Sequence, residues 1–146
     1  MSDLYQRDFY RWATEQAAVM RNKHCELEVL GIDWKNVAEE LDTLGRSEKR
    51  ELRNRLAVLL LQLLKWLHRP MHQGTSWRLT IEEQRDAIDE LLTDNPSLKP
   101  VLDQTLKEAY RNARRQAVIE CGLNQSTFAE DCPWSAAQSL DPNFLP

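Results

Sequence analysis

The 146-residue chain reads as all-α: a compact irregular helical bundle of about five main helices plus a short C-terminal helix. Two observations predict this class. Eight leucines lie between Leu52 and Leu67, and seven of them, at 52, 56, 59, 60, 63, 64 and 67, keep the three-and-four spacing that gathers side chains on one helix face. Only four glycines occur, while Ala, Leu, Glu, Gln and Arg are plentiful, which favours helix over turn-rich sheet. At this length a single domain, residues 1–146, is expected.

Ser2 or Asp3 caps a first helix running to about Arg21, with Tyr5, Phe9, Trp12 or Ala13, Gln16 or Ala17, and Met20 inward. Asn22 to Ile32 reads as a connection through Gly31, and Leu27, Val29 and Leu30 can pack back on the core. Asp33 then caps a second helix with Trp34 in its first turn and Val37, Leu41 and Leu44 inward; Gly45 ends it as the residue after the last turn.

Ser47 is the expected cap of the leucine helix, although Arg50 stands where a capping box would place Glu or Gln. Arg46, Lys49, Arg50 and Arg53 crowd this start, where the backbone dipole favours negative charge, and Glu39, Glu40, Glu48 and Glu51 are the compensating partners. Ala57, Val58 and Leu61 widen the apolar arc, so the helix is expected to have neighbours on more than one side. Pro70 ends it by removing a donor and clashing with the preceding turn.

Ser76 caps a fourth helix with Trp77, Ile81, Gln84 or Arg85, Ile88 and Leu91 or Leu92 inward, and Thr80-x-x-Glu83 offers a later start. After Asn95-Pro96, Ser97 caps a fifth helix whose buried face is Leu98, Val101 or Leu102, Leu106, Tyr110, Ala113 and Ala117, until Gly122 stops it. The short connection predicts antiparallel neighbours. Their outer faces are complementary, Glu82, Asp86, Asp89 and Glu90 against Lys107, Arg111, Arg114 and Arg115. Cys132-Pro133-Trp134-Ser135 opens a last helical turn to about Leu140, with Pro133 in its first turn; Phe144 and Leu145 anchor an irregular end.

Composition excludes several classes. The nine residues between Arg55 and Lys65 are interrupted by Gln62 and fall short of the roughly 20 apolar residues of a membrane span, so no membrane partner is expected. The N-terminus lacks a signal-peptide pattern, and three cysteines without paired spacing suit a reducing compartment, so the expected location is cytoplasmic. A net charge of −4 gives no global pull toward nucleic acid or anionic lipid.

One polar constellation stands out: Glu39, Glu40, Arg46, Arg50, Arg78 and Arg85 would form a ligand or interaction cluster if the second, third and fourth helices converge, with Arg giving bidentate recognition of an anion. The plainer reading of the same set is ion pairs at helix ends. Trp34, Trp66 and Trp77 are candidate aromatic contacts for a partner, and mutual core packing is the stronger explanation of them. His68 and His72 are four apart, but Pro70 between them breaks the helix that would align them, and no zinc or di-metal spacing occurs. Neither a metal site, a cofactor nor a catalytic residue is assigned. Among the cysteines, Cys132 alone stands before an expected helix start, which would lower a thiol pKa. Between Arg46 and Arg69 seven basic and two acidic residues give a weak, non-specific nucleic-acid signal without any base-reading motif.

These blocks, Asp33-Trp34-Lys35-Asn36-Val37-Ala38-Glu39-Glu40-Leu41, Leu44-Gly45-Arg46-Ser47-Glu48, Ser76-Trp77-Arg78, Ile81-x-Glu83-Gln84-Arg85 and Cys132-Pro133-Trp134-Ser135, resemble a bacterial family of domains of unknown function, number 29. The resemblance runs from the Leu4-Tyr5 and Asp8-Phe9-Tyr10-Arg11-Trp12 opening to Phe144-Leu145-Pro146, and His24-Cys25 is a departure from it. It implies a compact all-helical domain and transfers no activity, cofactor or partner to individual residues. The functional expectation is a helical interaction or scaffold module acting through a protein partner or a homo-oligomer. The alternatives are a small-ligand-binding protein or enzyme using the Glu39/Glu40/Arg46/Arg85 region, and a weak nucleic-acid binder.

Overall fold

A computed structural model describes residues 3–146, so the cap expected from Ser2 lies outside the described residues. These contain seven α-helices and no strand: α1 (Leu4–Arg7), α2 (Phe9–Asn22), α3 (His24–Val29), α4 (Trp34–His68), α5 (Thr75–Asp94), α6 (Leu102–Cys121) and α7 (Ala136–Leu140), with three short 3-10 turns. The class is all-α, as the leucine spacing predicts. No helix among the described residues is long and apolar enough to cross a membrane.

The expected first helix is interrupted at Asp8. Its backbone is extended (φ −158°, ψ 85°), and its carboxylate accepts the Arg11 N–H at 3.0 Å, so the chain stops and restarts on an Asp cap. The expected connection after Asn22 contains α3. Asp33 caps α4 as foreseen, accepting the Asn36 N–H at 3.3 Å.

The expected second and third helices are one helix of 35 residues, α4. Gly45 does not end it. A Cβ on Gly45 would stand 3.4 Å from Thr14 Cγ2 and 3.7 Å from the Tyr10 ring, so the glycine lies inside the helix facing α2 at ordinary contact distance, not in a left-handed turn. Ala13 and Ala17 of α2 and Ala38 of α4 are fully buried, so both helices bury small side chains. Leu41 turns in as expected, but its expected neighbours are replaced by Ala38, Gly45 and Glu48, while Val37 and Leu44 are 39% and 46% exposed. Ser47 is an exposed residue inside the helix. With no helix end there, the dipole cost expected for Arg46, Lys49, Arg50 and Arg53 does not arise.

The chain divides into two compact units, the first from residues 1–51 and 91–99, the second from 52–90 and 100–146. In the first, buried polar groups tie the chain together. Asp8 Oδ2 accepts the Ser97 N–H at 2.8 Å and Oδ1 accepts the Ser97 hydroxyl at 2.7 Å. Asn95 Oδ1 accepts the Tyr10 N–H at 2.8 Å, and its amide donates to Glu48 Oε2 at 3.1 Å and the Leu91 carbonyl at 3.0 Å. Ser97 is thus spent on Asp8 and caps nothing; Pro96–Val101 forms a 3-10 turn containing Pro100, and α6 starts only at Leu102.

The second unit is built on the leucine face. Leu52, Leu56, Leu59, Leu60, Leu63 and Leu64 are buried together with Ile81 and Ile88 of α5, Leu106, Ala109, Ala113 and Ala117 of α6, and Phe128 and Trp134. Leu67 is 43% exposed, contrary to the spacing, because Trp66 takes the buried position in the last turn. Pro70 follows the helix end, and Gln73 Nε2 donates to the freed Trp66 carbonyl at 2.8 Å. Gly122 ends α6 in the left-handed conformation (φ 64°), and Arg69 Nη1 donates to the Cys121 carbonyl at 3.1 Å.

Candidate functional site

The residues of the polar constellation fall in different units. Glu39, Glu40, Arg46 and Arg50 are exposed in the first. There Arg46 Nη2 donates to Glu39 Oε1 at 3.1 Å and to Thr43 Oγ1 at 3.0 Å, while Arg21 pairs with Asp42 at 2.7 Å and stands 3.7 Å from Glu39. Such exposed pairs contribute about 0–1 kcal/mol each. In the second unit Arg78 and Arg85 share a cavity of about 190 Å³ with Ile81, Glu82, Pro142, Asn143 and Leu145. Arg85 is buried, its Nε donating to the Ser139 carbonyl at 2.9 Å and its Nη2 to the Phe144 carbonyl at 2.7 Å. Burial lowers its pKa, opposed by Asp141 and Glu82. Its work is to hold the C-terminal segment.

The aromatic candidates all have partners within the protein. The half-buried Trp34 donates its indole N–H to Glu28 Oε1 at 2.9 Å beside the His24 ring. Trp66 is buried under the Arg78 guanidinium, 5.9 Å from the ring centre, and Trp77 carries the Lys65 ammonium at 4.8 Å. His68 packs edge-on to Phe128 at 4.7 Å, and burial lowers its pKa. No group of three or more His, Cys, Asp or Glu among the described residues can hold a metal ion.

A roomier concavity lies elsewhere in the second unit. A cleft of about 630 Å³ separates the α6 face made by Asp103, Leu106, Lys107, Tyr110 and Arg111 from Glu130, Asp131, Cys132, Trp134, Ser135 and Ala136. The α6 residues share a face because they recur at three and four. The opposite wall is mostly irregular and is fixed by side chains that donate to its carbonyls. The Tyr110 hydroxyl donates to Ala129, and Arg114 Nη2 donates to Gln125 at 3.1 Å and Phe128 at 3.2 Å. Ser135 and Gln138 close a capping box that starts α7, and Trp134 meets Phe144 edge-on at 6.1 Å.

Pro133 and Cys132 therefore precede α7 rather than opening it, and no helix dipole activates the Cys132 thiol. Burial pushes that thiol's pKa up against the opposing hydrogen bond from the Trp134 backbone. Burial, then Cys132 and Asp131, raise the Tyr110 phenol, with Arg114 acting the other way. Both groups stay protonated near neutral pH. The cleft has an apolar floor of Leu106, Tyr110, Trp134 and Ala136 and a rim of exposed charges of both signs. Small-molecule clefts share that combination of apolar floor and charged rim, and neither Cys132 nor Tyr110 is activated as a nucleophile.

Sequence reasoning placed Lys107 and Arg111 on an ion-pairing strip and flagged Cys132 and Trp134 without joining the two sets. Ser135-x-x-Gln138 is a capping box legible in the sequence, and it fixes where the second wall turns helical. Tyr110 as the anchor of Ala129 had no local signal, since the pair is 19 residues apart.

No curated protein matches the chain. Among solved structures it is similar to an alpha-helical protein of unknown function from Rhodospirillum rubrum ATCC 11170, at 22% identity and a TM-score of 0.75, over 99% of this chain and 93% of that one. At that identity the likeness supports the fold alone. The family model described as "Domain of unknown function DUF29" matches residues 4–145, and the chain belongs to that family.

Proposed function

We propose that the protein is a binding module that takes a small ligand into the cleft between α6 and the Glu130–Ala136 wall, without transforming it. The observation that carries this reading is the cleft itself: about 630 Å³, with an apolar floor and charged rim, within the ~300–1,000 Å³ range of small-molecule sites. The protonated Cys132 and Tyr110 support binding over catalysis. Cytoplasmic residence belongs to the same proposal, supported by three unpaired thiols.

The test is a fluorescence titration with 1-anilinonaphthalene-8-sulfonate, whose aromatic body and sulfonate suit an apolar floor beside Lys107 and Arg111. Saturable binding that Ala136→Trp weakens at least about tenfold, with helicity and melting midpoint retained, supports the cleft. Non-saturable binding, or binding indifferent to Ala136→Trp, overturns it.

A second reading, a scaffold acting through a protein partner or a homo-oligomer, is favoured by the first unit. Val29 and Leu30 are 87% and 73% exposed beside Ile32, around the left-handed Gly31. Sedimentation velocity across a concentration series tests the homo-oligomer form: a mass that rises with concentration and returns to the monomer in Leu30→Glu supports it, and a constant monomer removes it. The nucleic-acid reading has less behind it. Arg46, Arg53 and Lys65 pair with Glu39, Glu108 and Glu120, and Arg55 and Arg69 donate to Gln84 and the Cys121 carbonyl.

A further inference from the structure

Resting on the reading of the cleft as a ligand site, we propose that its ligand is a dipeptide-sized zwitterion with apolar side chains. The argument comes from how charge is divided between the two walls. Lys107 and Arg111 stand one turn apart on α6 and present two cations to the same side of the cleft. Glu130 and Asp131, adjacent on the facing wall, present two carboxylates. Asp103, the remaining charge of the lining, lies in the first turn of α6, where it complements the helix dipole.

A simple anion drawn to Lys107 and Arg111 would face Glu130 and Asp131, and a simple cation would face the reverse. A molecule with both charges at separate ends satisfies both walls better than either. The floor decides the rest of the chemistry. The Tyr110 hydroxyl is committed to the Ala129 carbonyl, so the ring, with Leu106, Trp134 and Ala136, offers apolar surface rather than a hydrogen-bonding handle. That surface selects aliphatic or aromatic side chains between the charged ends. A volume of about 630 Å³ exceeds what one amino acid needs and matches a larger ligand. The α-carboxylate would lie toward Lys107 and Arg111, and the α-ammonium toward Glu130 and Asp131.

Because the rim is exposed, each charged contact is screened by solvent, and most of the affinity would come from the floor. Removing either ligand charge should therefore weaken binding by about fivefold rather than abolish it. The experiment is isothermal titration of the full chain with leucyl-phenylalanine, its N-acetyl derivative and its C-terminal amide. The proposal expects the free dipeptide to bind best, with both capped forms about fivefold weaker and the preference fading in high salt. Lys107→Gln with Arg111→Gln should erase the preference for acid over amide alone. Glu130→Gln with Asp131→Asn should erase the preference for free amine over acetyl alone. All four positions are exposed, and circular dichroism checks that the variants keep their helices.

Equal binding of the three ligands, or discrimination untouched by either double variant, overturns the zwitterion. If anilinonaphthalene sulfonate occupies the cleft and Ala136→Trp blocks it while the dipeptide neither binds nor competes, the ligand class fails and the binding cleft stands. If neither probe binds, both fail together.

Discussion

Asn95 gives its side-chain amide to Glu48 Oε2 at 3.1 Å while its carbonyl oxygen takes the Tyr10 N–H at 2.8 Å, so one side chain joins α4 to the start of α2. A further bond to the Leu91 carbonyl holds the amide in place. Asn95 is 1% exposed, and truncating it would leave a backbone donor and a carboxylate without this partner in a part-buried place. Asn95→Ala is expected to lower unfolding stability by about 2–3 kcal/mol, read from the urea midpoint at unchanged slope. A loss under about 0.5 kcal/mol would mean that water replaces all three bonds.

Glu48 makes the same junction pH-dependent. Desolvation raises its pKa, the Asn95 hydrogen bond lowers it, and Glu51 and Asp94 add to the rise. A carboxyl whose folded pKa lies above its unfolded one stabilises the native state most when protonated. That contribution is full below the ordinary glutamate value of about 4.3 and is lost as pH rises through the higher folded value. Glu48→Gln keeps an acceptor for Asn95 and cannot titrate. Its stability relative to the parent should therefore improve between about pH 4 and pH 7. Urea titrations at the two pH values check the sign, and an opposite trend would show that the hydrogen bond outweighs desolvation.

Gly45 separates helix propensity from packing. Its backbone is helical, and an added Cβ would meet Thr14 and Tyr10 at 3.4 Å and 3.7 Å, ordinary contact distances. Gly45→Ala is therefore expected to raise stability by up to about 1 kcal/mol. Gly45→Leu must push α2 away and should cost about 1–3 kcal/mol. Thermal melts of both variants decide the matter: destabilisation by Ala would mean that the small-residue contact tolerates no added methyl.

These residues show what the sequence could and could not disclose. The leucine face was legible because a buried helix stripe is a local, periodic signal, and six of its seven leucines are buried. The Asp33 start, the Pro70 break and the Gly122 stop were legible for the same reason, as backbone chemistry acts within a turn. Gly45 misled because a glycine after a periodic run reads as a helix end, and only the approach of α2 shows that it is a contact. Ser97 misled similarly: its cap role was displaced by Asp8, 89 residues away. The cleft walls lie on α6 and on a segment without periodicity, so their residues could be flagged one by one but not assembled.

Arg85 shows most directly how a helix side chain shapes that irregular segment. Its guanidinium reaches the carbonyls of Ser139 and Phe144, which brackets α7 and the last turn of chain with one rigid fork. Lysine has a single nitrogen and cannot serve both carbonyls in this geometry. Arg85→Lys is expected to lose about 1–2 kcal/mol and Arg85→Leu about 3 kcal/mol, since hydrogen bonds from a charged donor contribute about 1.5–3 kcal/mol each. The loss should be local first. Amide exchange across Ser139–Leu145 is expected to quicken by about tenfold in Arg85→Leu while the leucine face of α4 stays protected. Uniform acceleration through α4 would instead make Arg85 part of the global core, and no change in either region would show that Trp134 and Phe144 hold the segment without it.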